Sequence, residues 1–449
     1  MDVAIVGGGC SGTLVAVQLL RNGFQGRVTI VEPRERLGLG LAYSTSFDQH
    51  LLNVPAADMS ALPGHCSHFL DWLRVRYRYF ARPDAFVPRR VYGEYLNDLL
   101  QQTTQNGGDA RFRHIRGEAI GFSTDRKNAR ITLNDGSSVL AERVVLAVGN
   151  PTSSDVHISL RRGFEDRWQL SPWFDDALRV RFPGERILLL GSGLTAVDAA
   201  LALQSQDTPS EICMLSRRGI LPQVHNLRLP AGVPFCFRER NNLRLLLREL
   251  RERIDAAHDA DLCWRSVIDS LRPISNGLWQ GLSPHDRRRF QRHLTRYWDT
   301  HRHRMAPEIR ARLNECHARG ALRVIAGRLR AVYARGSVIQ IRIRLKCGAE
   351  RMVDTDRVIS CTGVNENYAH SRRSVVRALM ESGLAHANDL GHGFHTDSRG
   401  ALLTSALSAS PVFFTLGPPR RGQLFETTAV PEIRVQAADL AAHLIALEA

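Results

Sequence analysis

A glycine loop that occurs twice in the chain constrains its fold most strongly. The first copy, Gly7-x-Gly9-x-x-Gly12, follows a short β pattern at residues 2–6 and opens a helix pattern at Ser11. In this context the first glycine permits a tight turn, the second lets the backbone approach a pyrophosphate, and the third lets the helix pack close to the sheet. The N–H groups and dipole of the helix N-terminus then favour the anion.

An acidic residue completes this first site. Glu32 directly follows the next β pattern, at residues 27–31. In Rossmann units an acid about 20 positions after the glycine loop binds the ribose hydroxyls. The first copy therefore predicts a dinucleotide site that includes Gly7, Gly9, Ser11, Gly12 and Glu32.

The second copy is Gly191-x-Gly193-x-x-Ala196, again between a strand pattern and a helix pattern. Its second strand ends in Arg217 and Arg218 instead of an acid. A cation there suits the 2′-phosphate of NADPH, although these arginines could also stack on adenine or point to solvent, so NADH stays open. The candidate NAD(P)H contacts are Gly191, Gly193, Leu194, Thr195, Arg217 and Arg218.

Charge and composition exclude several classes of protein. The chain has 449 residues, a hydrophobic fraction of 43% and a net charge of +15, with basic residues spread along its whole length. The densest stretch, Arg287–Arg304, is interleaved with aromatic and apolar residues and is interpreted as a solvated helix face. We expect no nucleic-acid partner, but a basic surface attracts anionic substrates and phosphate-bearing cofactors.

Neither membrane insertion nor export is indicated. No run of about 18 apolar residues is present, so we expect no membrane association. The sequence starts directly with a strand pattern and lacks the features of a signal peptide, which predicts a cytoplasmic protein.

Cysteine and histidine spacing argues against a metal site. The eight cysteines form no C-x-x-C, and neither the histidines at 50, 65 and 68 nor His301 and His303 have an accompanying H-x-x-x-H or paired carboxylate. We predict no metal and no dithiol redox pair. The segment His301–Arg304 is interpreted as a packed helix end; the alternative is an anion-binding or acid/base group.

The two loops predict an α/β fold with two Rossmann-type dinucleotide-binding domains, the second inserted in the first. We expect the first part of one domain at residues 1–155, the second domain at 156–350, and the remainder of the first at 351–449. Residues of about 237–320 form an Arg/His-rich helical insertion in the second domain.

Further segments carry a resemblance that runs nearly end to end. They are Gly38-Leu-Gly-Leu-Ala-Tyr43, His50-Leu-Leu-Asn-Val-Pro55, Met59-Ser60, Phe86-Val-Pro-Arg89, Tyr92-Gly93, Ala147-Val-Gly149, His301-Arg-His-Arg304, Cys361-Thr-Gly363, Gly417-Pro-Pro-Arg-Arg-Gly422 and Glu426-Thr-Thr-Ala-Val-Pro431. In these segments the chain resembles two-dinucleotide-binding-domain flavoproteins, and more narrowly the bacterial FAD/NAD(P)-binding family that contains FAD-dependent urate hydroxylases and aspartate N-monooxygenases.

This resemblance implies FAD at the first loop and NADH or NADPH at the second. It adds candidate FAD contacts at Gly40, Asn53, Met59, Ser60, Gly149, Gly417, Glu426, Thr427 and Thr428. It also implies that the last helix points its N-terminus at the pyrimidine end of the flavin, where N–H groups and the dipole stabilise the reduced anionic form.

The implied activity is that of an FAD-dependent monooxygenase. NAD(P)H reduces FAD, O2 forms a C4a-hydroperoxide, and one oxygen passes to a small electron-rich substrate. Urate, giving 5-hydroxyisourate, is the leading substrate because a planar anion suits an arginine-rich protein. The alternatives are N-hydroxylation of an amino acid or amine, and a flavin reductase that donates electrons to a partner or quinone. No catalytic residue is identified; the candidates for anion contacts are Arg89, Arg302, Arg304 and Arg420.

Overall fold

The computed structural model describes residues 1–105, 111–150, 161–173, 176–208, 210–227, 235–363, 367–371, 373–404 and 406–448. Its strands are β1 (Val3–Val6), β2 (Val28–Val31), β3 (Phe112–Ile115), β4 (Ala119–Thr124), β5 (Ala129–Leu133), β6 (Ser138–Ala141), β7 (Arg143–Leu146), β8 (Trp168–Gln169), β9 (Glu185–Leu190), β10 (Ser210–Ser216), β11 (Leu322–Arg335), β12 (Val338–Leu345), β13 (Glu350–Thr355), β14 (Arg357–Ser360), β15 (Ala401–Leu403) and β16 (Ala409–Thr415).

The described α-helices lie between these strands in the chain, except for the last helix, which follows β16. They are α1 (Cys10–Arg21), α2 (His68–Arg76), α3 (Arg89–Gln105), α4 (Leu194–Gln204), α5 (Leu243–Asp259), α6 (Trp264–Ser270), α7 (Ser275–Gly281), α8 (Pro284–His293), α9 (Thr295–Arg302), α10 (Pro307–Ala318), α11 (Ser374–Glu381) and α12 (Val430–Ala446). Helices α5 to α10 lie between β10 and β11, where the Arg/His-rich helical insertion was expected.

The first sheet takes strands from both ends of the chain. Its order is β15-β16-β7-β1-β2-β3, and all neighbours are parallel except β15 and β16. Strand β1 is buried on both faces: Val3 and Ile5 pack in the core with α1, α3 and α12, whereas Ala4 and Val6 pack in the core shared with the antiparallel sheet β4-β5-β6. Burial on both faces explains why β1 is continuously apolar.

The second sheet lies between residues 168 and 360. Its order is β13-β12-β11-β10-β9-β14-β8, parallel from β11 to β8 and antiparallel through β12 and β13. Each sheet thus carries one β-α-β unit that begins at a glycine loop. The predicted fold class, α/β with two Rossmann-type units, is confirmed.

The predicted domain boundaries need one correction. The boundary at 155/156 lies outside the described residues. The boundary at 350/351 is wrong, because β13 and β14 are hydrogen-bonded members of the second sheet, with β14 parallel to β9 and β8. The second sheet therefore ends at Ser360.

Among the described residues, no helix is both long enough and apolar enough to cross a membrane.

Candidate functional site

The first glycine loop has the close approaches that the motif predicts. Gly7 has a φ of +105°, and a Cβ there would lie 2.4 Å from the carbonyl oxygen of Ala147, at the end of β7. A Cβ on Gly12 would lie 1.9 Å from the carbonyl oxygen of Gly7, so α1 packs directly on the loop. Within this described helix the first turn carries no acid, and no side chain caps the N-terminus at Gly9. The N–H groups of that turn suit an anion.

Glu32 lies beside this loop. One carboxylate oxygen accepts from the backbone N–H of Gly8 at 2.9 Å, and the other accepts from the N–H of Arg34 at 3.2 Å. The carboxylate is buried at the end of β2. This is the position that the ribose-binding prediction requires.

Predicted FAD contacts from the C-terminal part meet the same helix. A Cβ on Gly417, which has a φ of +71°, would lie 3.0 Å from Oγ of Ser11. The Thr427 hydroxyl donates to the carbonyl of Gly417 at 2.9 Å, while the Gln436 amide bonds both Thr427 and the Gly417 N–H. These hydrogen bonds hold the segment around Gly417 against the start of α1.

Among the other candidate FAD contacts, Gly40 lies against the first loop and Ser60 contacts α12. Gly40 packs against Gly9, since a Cβ on Gly9 would lie 3.2 Å from the Gly40 Cα. Met59 and Ser60 are buried, and Arg434 of α12 donates to the Ser60 carbonyl at 2.8 Å. Gly149, with a φ of +67°, follows β7. A glycine-lined cradle beside an uncapped helix N-terminus fits FAD.

The second glycine loop repeats the geometry of the first. Gly191 has a φ of +131°, and a Cβ there would lie 2.3 Å from the carbonyl oxygen of Cys361, at the end of β14. Helix α4 starts at Leu194, followed by Thr195, with Gly193 as its N-cap. Ala147 and Cys361 therefore play equivalent parts, each with its carbonyl against the first glycine of a loop.

Arg217 and Arg218 lie just past the end of β10 and are exposed. The Arg218 guanidinium lies 4.4 Å from the centre of the Tyr297 ring. Both arginines can therefore reach a phosphate without losing a buried partner.

One cation at this loop was missed from the sequence. Arg296 of α9 donates through Nη2 to the carbonyl and hydroxyl oxygens of Ser192, both at 3.1 Å, and to the Ile220 carbonyl. The stretch Arg287–Arg304 is therefore not simply a solvated face, because Arg296 turns inward onto the second loop. An arginine in a basic helix carries no sequence signal that separates these two outcomes.

A pocket lies between α7 to α9 and the segment before α12. It is lined by Trp279, Phe290, Gln291, Thr295, Trp298, Asp299, His303, His392, Arg421, Phe425, Glu426 and Thr428. The pocket is partly open to solvent, and the empty space within it, including solvent-exposed space, is about 520 Å³. The rings of Trp279 and Phe425 stack at 5.0 Å and form an aromatic part of a wall that also carries polar and charged side chains. Glu426 and Thr428 place the pocket next to predicted FAD contacts.

The electrostatics of the pocket centre on His303. Burial, together with the neighbouring Arg302, Arg421 and Arg272, lowers the pKa of His303 to about 3. Its Nε2 lies 3.8 Å from the Asp299 carboxylate. The imidazole is therefore neutral at neutral pH.

The structure gives each of the four candidate anion-binding arginines a protein partner. Arg302 pairs with Glu426 at 2.9 Å, which joins two predicted site residues at the pocket edge. Arg304 is buried and forms two bonds of 2.9 Å to Asp269. Arg89 pairs with Asp198 of α4 at 2.7 Å, and Arg420 donates to the carbonyls of Asp397 and Ser398. The four do not converge on one ligand position.

His225, which belongs to the second unit, bonds the predicted FAD contact Asn53. Its Nε2–H donates to the carbonyl of Asn53 at 3.0 Å, and burial lowers its pKa to about 4. An unfolded histidine has a pKa of about 6.5, so between pH of about 6.5 and 4 only the unfolded chain takes up this proton. This contribution to stability is therefore full above pH of about 6.5 and is lost as the pH falls towards 4.

We expect His225→Gln to flatten the loss of stability on acidification, because glutamine keeps an amide donor but does not titrate. The measurement is the thermal unfolding midpoint between neutral and mildly acidic pH. His285→Gln is the matched control, since His285 has a side chain that is 76% exposed. An unchanged acid slope in His225→Gln would contradict the prediction.

Among the described residues, no group of three or more His, Cys, Asp or Glu side chains could hold a metal ion.

Comparison with known proteins agrees with this geometry. Residues 4–151 match the model of a protein family described as FAD-NAD(P)-binding. The predicted cofactors, FAD with NADH or NADPH, are confirmed at this level. A curated relative, the uncharacterized protein YdhS of Escherichia coli K12, is 25% identical over 256 residues, which is 49% of this chain and 46% of the relative. That match therefore spans just under half of the relative's length.

Solved structures extend the likeness to the whole chain. An ornithine N-hydroxylase of Kutzneria sp. 744, with reduced FAD, NADP+ and L-ornithine, has a TM-score of 0.64 and 14% identity, covering 100% of this chain and 99% of that chain. L-lysine 6-monooxygenase of Pseudomonas syringae has a TM-score of 0.65 and 16% identity, covering 99% and 98%. At these identities the likeness establishes the fold, that of a two-dinucleotide-binding-domain flavoprotein.

Proposed function

We propose that the protein is an FAD- and NAD(P)H-dependent monooxygenase that hydroxylates the nitrogen of a small primary amine. The observation that carries the proposal is the neutral His303 in a partly aromatic pocket, where Arg302, Arg421 and Arg272 act on it with positive charge. FAD, when bound, accepts a hydride from NAD(P)H and activates O2. The reaction balances as amine, O2, NAD(P)H and one proton giving hydroxylamine, water and NAD(P)+.

The pocket favours the reactive form of an amine. An amine attacks oxygen only through its lone pair, yet a free alkyl amine has a pKa of about 10.4 and is protonated at neutral pH. Burial and nearby positive charge both disfavour the protonated form. The burial and the guanidinium charges of Arg302 and Arg421 that keep His303 neutral act in the same direction on an amine beside it.

The chain can also protect the chemistry from water. Trp279, Phe290, Trp298 and Phe425 give one part of the pocket an aromatic surface, next to the predicted FAD contacts Glu426 and Thr428. Exclusion of water strengthens every electrostatic interaction inside the site and limits side reactions.

Urate no longer leads among the substrates. The structural relatives described above act on ornithine and lysine, which favours the N-hydroxylating alternative. The preference for urate rested on the abundance of arginine, but all four candidate arginines already have protein partners. Urate stays in the test as a competing substrate, as does electron donation to a quinone.

The test uses the FAD-loaded protein with NADH or NADPH and a panel of L-ornithine, L-lysine, L-aspartate, putrescine, urate and a soluble quinone. We expect one amine to stimulate NAD(P)H oxidation, with a hydroxylamine formed in near-equal amount and little hydrogen peroxide. Urate consumption without amine turnover would replace the proposal with urate hydroxylation. Stimulation by quinone alone would make the protein a reductase.

Arg421→Gln tests the electrostatic argument with the amine that responds. Removing one positive charge raises the pKa of the bound amine, so the acidic limb of the pH profile of kcat, which reports groups in the enzyme–substrate complex, should move up by about 1 pH unit, the low end of the effect of one neighbouring charge. Arg292→Gln, an exposed arginine of α8, is the control and should leave the limb in place. If the acidic limb stays in place in Arg421→Gln, the positive charge around the pocket does not explain why the amine reacts there.

A further inference from the structure

Helix α9 contacts both candidate sites at once. Thr295, Trp298 and Asp299 line the aromatic pocket. Arg296 and Tyr297 face the second glycine loop, where Arg296 bonds Ser192 and Tyr297 lies under Arg218. The helical insertion therefore supplies a wall to the second dinucleotide loop as well as to the pocket.

The Arg296 guanidinium lies over the middle glycine of that loop. A Cβ on Gly193 would lie 3.3 Å from Nη1 of Arg296. In a Rossmann loop the middle glycine is where the backbone approaches the pyrophosphate. Helix α4 starts directly after Gly193, and no side chain caps this described N-terminus. The loop backbone and the guanidinium therefore face the same small volume.

Arginine suits a phosphate at this place. Its planar fork presents paired N–H donors that match phosphate oxygens, and it stays charged in proteins. Nη2 is held by the Ser192 carbonyl and hydroxyl, which fixes the orientation of the fork. Arg217 and Arg218 add like charge close by, and burial with this repulsion lowers the pKa of Arg296. An anion at the loop relieves that repulsion.

The three arginines lie at different parts of a dinucleotide site. Arg217 and Arg218 follow the end of β10, which corresponds to the place of Glu32 after β2 in the first unit. That place faces the adenosine ribose and its 2′-phosphate. Arg296 instead faces the middle glycine, so the two groups contact different phosphates.

We infer that Arg296 binds the pyrophosphate of both NADH and NADPH, whereas Arg217 and Arg218 recognise the 2′-phosphate that only NADPH carries. The inference rests on the proposed function in one respect, the use of the second loop by NAD(P)H.

The experiment measures equilibrium binding of NAD+ and NADP+ to the FAD-loaded protein by calorimetry, so that no turnover is needed. Arg296→Ala should weaken both ligands by a similar factor of about tenfold to a hundredfold, the loss of a charge-assisted contact. Arg218→Ala should weaken NADP+ and leave NAD+ unchanged. Arg292→Ala, an exposed arginine of the same helical segment, should change neither.

Two further measurements keep the inference falsifiable. Arg296→Lys keeps a point charge without the fork, so intermediate affinity is expected, and thermal unfolding midpoints report whether either variant is misfolded. Wild-type affinity for both ligands in a folded Arg296→Ala would overturn the inference and leave the proposed function standing. A loss confined to NADP+ would reassign Arg296 to the 2′-phosphate. A wild-type protein that binds neither ligand would overturn the proposed function as well.

Discussion

Gly12→Ala is expected to yield protein that retains little or no FAD. The new Cβ would lie 1.9 Å from the carbonyl oxygen of Gly7, a backbone atom already fixed between α1 and β7. Helix α1 must move away from the loop, at an overpacking cost of about 1–3 kcal/mol, and its N-terminal N–H groups leave the position that faces the pyrophosphate. The measurement is the ratio of flavin absorbance to protein after purification and after dialysis with added FAD.

The second glycine loop supplies a matched control for this substitution. Ala196 stands where the first loop has Gly12, so Ala196→Gly makes the reverse change. It should cost about 1 kcal/mol of helix stability and leave FAD content unchanged. Wild-type FAD retention by Gly12→Ala would mean that the first loop does not hold the pyrophosphate.

Glu185→Gln is expected to lower the free energy of unfolding by about 3–5 kcal/mol, the cost of leaving a buried charge without its partner. Glu185 and Arg357 have side chains that are 1% and 0% exposed, with Oε1 and Nε 2.9 Å apart. Arg357 also donates to the carbonyls of Ala177 and Arg179, so its guanidinium cannot reach water when the carboxylate charge is lost.

An exposed ion pair provides the control for this prediction. Glu381 pairs with Arg377 on α11, with side chains that are 69% and 63% exposed. Glu381→Gln should cost less than about 1 kcal/mol, since surface pairs are weak. Denaturant unfolding measures both variants. Equal costs would show that the buried Arg357 finds compensation that the structure does not explain.

The parts of the fold that were predictable are those that depend on local geometry. The glycine loops were predictable because Gly7 and Gly191 adopt a positive φ next to a strand-end carbonyl. That conformation requires glycine, so a few adjacent residues are enough to identify it. The boundary at Ser360 was missed because β14 is a short strand whose sheet membership depends on a partner distant in sequence, β9.

The candidate site was less predictable, because its residues are joined across long sequence separations. Arg302 and Glu426 are 124 positions apart, and Arg296 and Ser192 are 104 apart. Counting arginines suggested a planar anionic substrate, but Arg89 and Arg304 are engaged in ion pairs inside the protein. The sequence shows how many charged side chains the protein has, whereas the structure shows which of them are already paired inside the protein.

The position of β16 has a consequence for how the protein is made. This strand pairs with β7 in the first sheet, but it is synthesised after the whole second sheet. Domains generally fold as units during synthesis. The NAD(P)H unit can therefore reach its native structure on the ribosome while the first unit still lacks β15, β16 and α12. Incorporation of FAD is expected to be one of the last events in biosynthesis, after the segment that holds Gly417 and Thr427 has emerged.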